Sequence, residues 1–223
     1  MIDPDELYFS SEQYRNLLDE IGEGIEKEEI EQRADNSVEA AKYGLEVWDN
    51  LLKLMEMLRA NSIYELSDQG VTIYDLLYWA DCLSDQLANA SREDKSFRSK
   101  RLKFCESYVE MHQGLLNKDV GNLGNIRASL ALSYYEMGEI KKADSLFREW
   151  LELEPDWGWG WIAWSDCFWL WKFLGIKTDF DKAEKILREG LSIPNVLDKD
   201  HILERLQELL QEKKKAKLAQ QSH

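Results

Sequence analysis

Gly138-Glu-Ile-Lys-Lys-Ala143-Asp-Ser-Leu-Phe147-Arg-Glu-Trp150-Leu151-Glu-Leu-Glu-Pro155 reads as one helix with both ends marked. Ile140, Ala143, Phe147, Trp150 and Leu151 recur at helical spacing and make one apolar stripe. Pro155 ends the helix, because its ring clashes with the preceding turn and it has no N–H to donate. Upstream, Leu130, Ala131 and Tyr134 share one face of an earlier helix. Gly138 suits a left-handed cap at the end of that helix, a conformation in which a side chain is costly. Small Ala131 and Ala143 let the two backbones approach closely, with larger neighbours filling the space around them. Residues 124–157 are therefore predicted to form two antiparallel helices joined at Gly138.

The pattern repeats, loosely, along the chain. Trp79-Ala80-Asp81-Cys82-Leu83 and Trp164-Ser165-Asp166-Cys167-Phe168 are nearly the same pentapeptide, and Leu130 to Tyr134 occupies the equivalent place between them. Ala143, Phe147 and Trp150 correspond to Phe104, Tyr108 and Met111 upstream and to Ala183, Leu187 and Gly190 downstream. Ala41, Leu45 and Trp48 have the same spacing nearer the start. The 34-residue unit 124–157 resembles a tetratricopeptide repeat. That resemblance implies an all-α stack of antiparallel helical hairpins, wound as a right-handed superhelix, with a groove that binds a partner and does not transform it. The hairpins around 72–114 and 158–194 carry extra residues relative to the family pattern, so longer, individually shaped helices are expected there.

Residues 1–223 are expected to form one all-helical domain. Within it, 1–71 would hold N-terminal helices, 72–194 the repeat-like hairpins, and 195–223 a capping helix with a polar tail. Cap signals mark the boundaries. Ser10 with Gln13 predicts a helix to about residue 32, and Asn36 with Glu39 one to about Arg59. Residues 61–71 read as a connector. Thr72 with Asp75 opens a helix to about 89, and residues 93–114 form another. Asp156 opens a tryptophan-rich helix to about 174, Thr178 with Asp181 caps one to about 191, and Asp198 starts the last.

Six tryptophans crowd into residues 157–171. Trp157, Trp161, Trp164, Phe168 and Trp171 share a face and read as an aromatic core. Trp159, Ile162, Asp166, Trp169 and Phe173 lie on another. In the repeat alignment that second face lines the groove, together with Tyr74, Leu77, Asp81 and Asp85, and with Asn125, Ala128, Leu132, Tyr135 and Glu136. The competing reading buries the Trp159 and Trp169 face under the terminal helices. The proposed groove is aromatic and acidic, with no lysine or arginine. Only Asn125 matches the clamp with which some members of the family grip a C-terminal carboxylate. An acidic aromatic groove suits a basic or amphipathic peptide instead.

Composition bounds the function. Hydrophobic residues are 44% and charged residues 32%, with a formal net charge of −15. That field disfavours nucleic acid and favours cationic partners. Two basic clusters, Arg98 to Lys103 and Lys213 to Lys217, carry the alternative of a nucleic-acid-associated helical protein. The start Met-Ile-Asp-Pro-Asp-Glu is acidic, unlike a signal peptide. No apolar run approaches the ~20 residues that span a bilayer. Cys82, Cys105 and Cys167 have no metal-binding spacing and are expected to be packed thiols, consistent with the cytoplasm. Cys105 and His112 read as a packed thiol beside a surface histidine. No phosphate-binding loop, dinucleotide pattern or HExxH occurs. No catalytic residue, cofactor or metal is expected, and the chain reads as a protein- or peptide-binding scaffold.

Overall fold

A computed structural model describes residues 11–68, 76–170 and 177–221. Among them are ten helices and no strand. The chain divides into two compact units, residues 1–126 and 127–223.

The first unit holds α1 (Glu12–Arg33), α2 (Ser37–Leu58), α3 (Ile63–Asp68), α4 (Leu76–Glu93) and α5 (Ser96–Met111). Ser11, one residue later than expected, caps α1 by accepting the Tyr14 N–H at 3.1 Å. Asn36 caps α2 as predicted, accepting from the Glu39 N–H. Helix α2 is the hub, packing against α1, α3 and α4. Residues 61–71 are not a plain connector, because α3 forms inside them. Ser62 accepts the Glu65 N–H at 3.1 Å, and the buried Ile63 and Leu66 anchor the turn against its neighbours. An aromatic cluster ties α5 to α2: the Trp48 and Phe104 rings meet edge to face at 4.8 Å. Thr72, Tyr74 and Asp75 lie outside the described residues.

Helix α6 (Leu123–Glu136) begins at the end of the first unit and lies mostly in the second. It is followed by α7 (Ile140–Leu153), α8 (Gly158–Asp166), α9 (Phe180–Ser192) and α10 (Lys199–Gln221). The α6–α7 turn matches its sequence reading. Gly138 has φ +85°; its N–H donates to the Tyr135 carbonyl and the Glu139 N–H to that of Tyr134. These bonds satisfy carbonyls that a helix end leaves open. At the far end of the hairpin, Arg127 on α6 pairs with Glu154 at 2.7 Å, both nearly buried. Phe147, Trp161 and Trp164 fill the core beyond, and Phe147 stacks on Trp164 at 6.3 Å.

Helix α8 is shorter than the predicted 156–174. Residues 167–170 are in turns, and Trp171 and Phe173 lie outside the described residues. The Asp179 N–H takes the Phe168 carbonyl at 2.8 Å, the acceptor a continuing helix would need. Asp179 also caps α9, accepting from the Lys182 N–H, in place of the expected Thr178.

A Cβ built on Gly138 would touch nothing within 4 Å. Substitution there meets backbone strain alone. Gly138→Val should cost ~1–2 kcal/mol, and Gly138→Asn distinctly less, since asparagine tolerates the left-handed region. Equal losses in urea denaturation would overturn this account.

Candidate functional site

In α1 the positions Leu17, Ile21, Ile25 and Glu28 form one buried stripe. A glutamate occupies a place where helical periodicity asks for an apolar side chain. Glu28 is 1% exposed. The indole Nε1–H of Trp79, on α4, donates to its Oε2 at 2.7 Å. Among the described residues its Oε1 has no hydrogen-bond partner. Gly44 on α2 makes room for this pair: a Cβ there would stand 2.5 Å from Leu83 Cδ1 and 3.1 Å from Glu28 Oε1.

Glu28 is among the residues that line a cleft of about 330 Å³. Ile25, Glu28, Glu29, Gln32 and Arg33 of α1 line one side, and Tyr78, Trp79 and Cys82 of α4 the other. Arg33 is engaged at 3.0 Å by Glu29. Tyr78 is 67% exposed. Tyr78, Asp81, Cys82 and Asp85 are spaced three and four apart, so α4 presents an aromatic ring and two carboxylates in one row. Asn125 Nδ2 donates to Asp81 Oδ2 at 2.8 Å. Burial pushes the Asp81 carboxyl above its usual range, partly offset by that bond. Desolvation likewise pushes the Glu28 carboxyl up to about 7, against the pull of the Trp79 hydrogen bond.

The residues expected to form one groove have different environments. Asp81, Asp85 and Asn125 come together in the first unit, and Tyr74 lies outside the described residues. In the second unit Trp159 is 46% exposed, its ring 5.3 Å from His201, and Glu136 is half-buried. Tyr135, Ile162 and Trp169 are buried, the last at 3% exposure. Asp166 accepts from Trp169 Nε1 at 3.2 Å and faces Arg205 of α10 at 3.6 Å. The open reading of the Trp159 and Trp169 face therefore fails at Tyr135, Ile162 and Trp169. Helix α10 packs on α8 and covers it, because the apolar stripe of α10 needs the same partner. Glu28 and Tyr78 are not singled out in the sequence, and Cys82 is read there only as a packed thiol. The charged residue in the α1 stripe is the signal that could have found the first.

Of the remaining sequence candidates, part of each basic cluster is engaged, while Lys103, Lys214 and Lys217 are exposed. Arg101 is buried and Lys100 lies over the Phe97 ring at 4.1 Å, which leaves Lys103 the exposed member of that cluster. Lys213 pairs with Asp181 and Glu184, and Lys215 with Glu212. His112 is buried, not superficial; its Nδ1 lies 2.8 Å from the Tyr108 carbonyl. Burial holds the Cys105 thiol up at about 11 and raises those of Cys82 and Cys167, so each favours the neutral form over the thiolate. Among the described residues, no group of three or more His, Cys, Asp or Glu could hold a metal ion, and no helix is long and apolar enough to cross a membrane. Comparisons with family models, curated proteins and solved structures find no match.

Burial of Trp169 sets its mutational outcome. Trp169→Ala should cost ~3–5 kcal/mol, whereas Trp159→Ala should cost under about 1.5 kcal/mol. Thermal denaturation of both variants checks the contrast, and equal losses would refute it.

The carboxyls of Glu28 and Asp166 both sit at about 7, raised chiefly by desolvation. The folded chain therefore holds protons that the unfolded chain releases near its ordinary carboxyl values. The associated stability is full below those values and is lost as pH rises through about 7. Urea midpoints should fall between about pH 5 and pH 8, and Glu28→Gln should flatten the fall. An unchanged slope in that variant would show that Glu28 titrates normally.

Proposed function

We propose that this chain is a non-catalytic, tetratricopeptide-like scaffold of the cytoplasm that binds a protein or peptide with basic or amphipathic segments. The observation that supports the reading best is the first unit's α1–α4 cleft. An exposed tyrosine lines it beside the buried Glu28, and Asp81 and Asp85 follow that tyrosine along α4. Such a surface attracts cations through charge and ring face together. The net charge of −15 adds long-range attraction for the same partners. Engagement of the basic clusters by Asp181, Glu184, Glu212 and the Phe97 ring leaves less for phosphate to meet.

Calorimetric titration with lysine- and arginine-rich amphipathic peptides, against RNA and DNA of equal charge, tests this. Peptides should bind and nucleic acid should not. Tyr78→Ala should keep the fold and weaken peptide binding by ~2 kcal/mol, as exposed aromatic anchors do. Asp81→Asn with Asp85→Asn should flatten the salt dependence. Preferential binding of nucleic acid would overturn the proposal.

A further inference from the structure

The two pentapeptides of this chain solve one problem in two ways. Trp164 donates its indole N–H to Asp144 Oδ1 at 2.8 Å, and Trp79 donates to Glu28 Oε2 at 2.7 Å. At Asp144 a lysine completes the arrangement: Lys182 Nζ lies 2.9 Å from Oδ1 and 4.1 Å from the centre of the Phe168 ring. Arg148 adds a second cation at 3.5 Å. At Glu28, among the described residues, no lysine or arginine makes an ion pair, and Oε1 is left without a partner. A buried carboxylate in this state carries a desolvation cost that a proton, a cation or a further hydrogen-bond donor relieves. The first unit thus repeats the tryptophan–carboxylate pair of the second and omits its lysine. It places a cleft with a tyrosine at that spot.

We propose that the α1–α4 cleft receives a lysine side chain of the bound partner, with the ammonium on the Glu28 carboxylate and the aliphatic stem against Tyr78. This rests on the peptide-binding reading above and names the residue recognised. About 330 Å³ accommodates one such side chain. Lysine fits better than arginine for a geometric reason. A guanidinium pairs best as a fork across both carboxylate oxygens, and here Trp79 already takes one acceptor position on Oε2, whereas at Asp144 the oxygen bonded to Trp164 takes a lysine as its second donor. An ammonium is a point charge that one oxygen satisfies. The arriving cation also offsets the desolvation that holds the Glu28 carboxyl near 7. Glu29 and Arg33, which also line the cleft, pair with each other at 3.0 Å.

The test uses the full chain and the short peptide acetyl-Ala-Ala-Lys-Ala-Ala-amide, with arginine and norleucine in the central place as controls. Proton–nitrogen correlation spectra report on the Trp79 indole N–H, assigned through Trp79→Phe. The lysine peptide should move that resonance saturably, the arginine peptide several-fold more weakly, and norleucine not at all. Glu28→Gln should weaken lysine binding about tenfold or more, since hydrogen bonds to charged groups are of that strength. Should that variant fold poorly, Tyr78→Ala with the unchanged Glu28 gives the second reading, a loss of several-fold. Basic peptides that bind through Tyr78, Asp81 and Asp85 without moving the Trp79 indole would overturn the lysine site and leave the scaffold reading standing. Equal response to lysine and norleucine would overturn it too. No binding of any basic peptide would remove both.

Discussion

A buried tryptophan must place its ring in the core and still find an acceptor for its indole N–H. Trp79 meets Glu28, Trp164 meets Asp144, and Trp161 meets the Pro155 carbonyl at 2.8 Å. The acceptors of Trp79 and Trp164 belong to other helices than the tryptophan does, so each bond fixes the rotation of one helix against another. The cost falls on the acceptors. Asp144 is desolvated, yet bonds from Lys182 and Trp164 and the charges of Lys182 and Arg148 bring its carboxyl below the usual range. Glu28 has the tryptophan without the cation, and its carboxyl rises. One packing rule thus gives a settled ion pair in the second unit and an unsettled carboxylate in the first.

The all-helical character was legible because helical periodicity and caps are local. Asn36, Gly138 and the stripe Ala143, Phe147 and Trp150 act within a few residues of themselves, and each took its expected place. Errors arose where distant chain decided. The α8 end depends on Asp179 taking the Phe168 carbonyl, a contact eleven residues away that no spacing announces. The helix inside 61–71 depends on the surfaces that bury Ile63 and Leu66. A six-residue turn has little helical preference of its own.

The site was harder to read for the same reason. A stripe containing Trp159, Ile162 and Trp169 looks alike whether it faces solvent or another helix. Burial under α10 is a tertiary fact. Glu28 was overlooked because glutamate is ordinary in helices. It becomes unusual only beside Leu17, Ile21 and Ile25, where its register places it inside. Of the residues expected to line the groove, Asp81 and Asp85 do share a row on α4, where the exposed ring beside them is that of Tyr78.

The Arg127–Glu154 pair carries a consequence for how this chain can vary. Both side chains are at most 10% exposed. Losing either one strands a charge in the interior, at a cost of ~3–5 kcal/mol, while replacing both by apolar residues of similar volume can be neutral. Every single-step path away from the pair thus crosses a deep fitness valley. The two positions are held as one heritable unit, and related sequences should change them together or keep both.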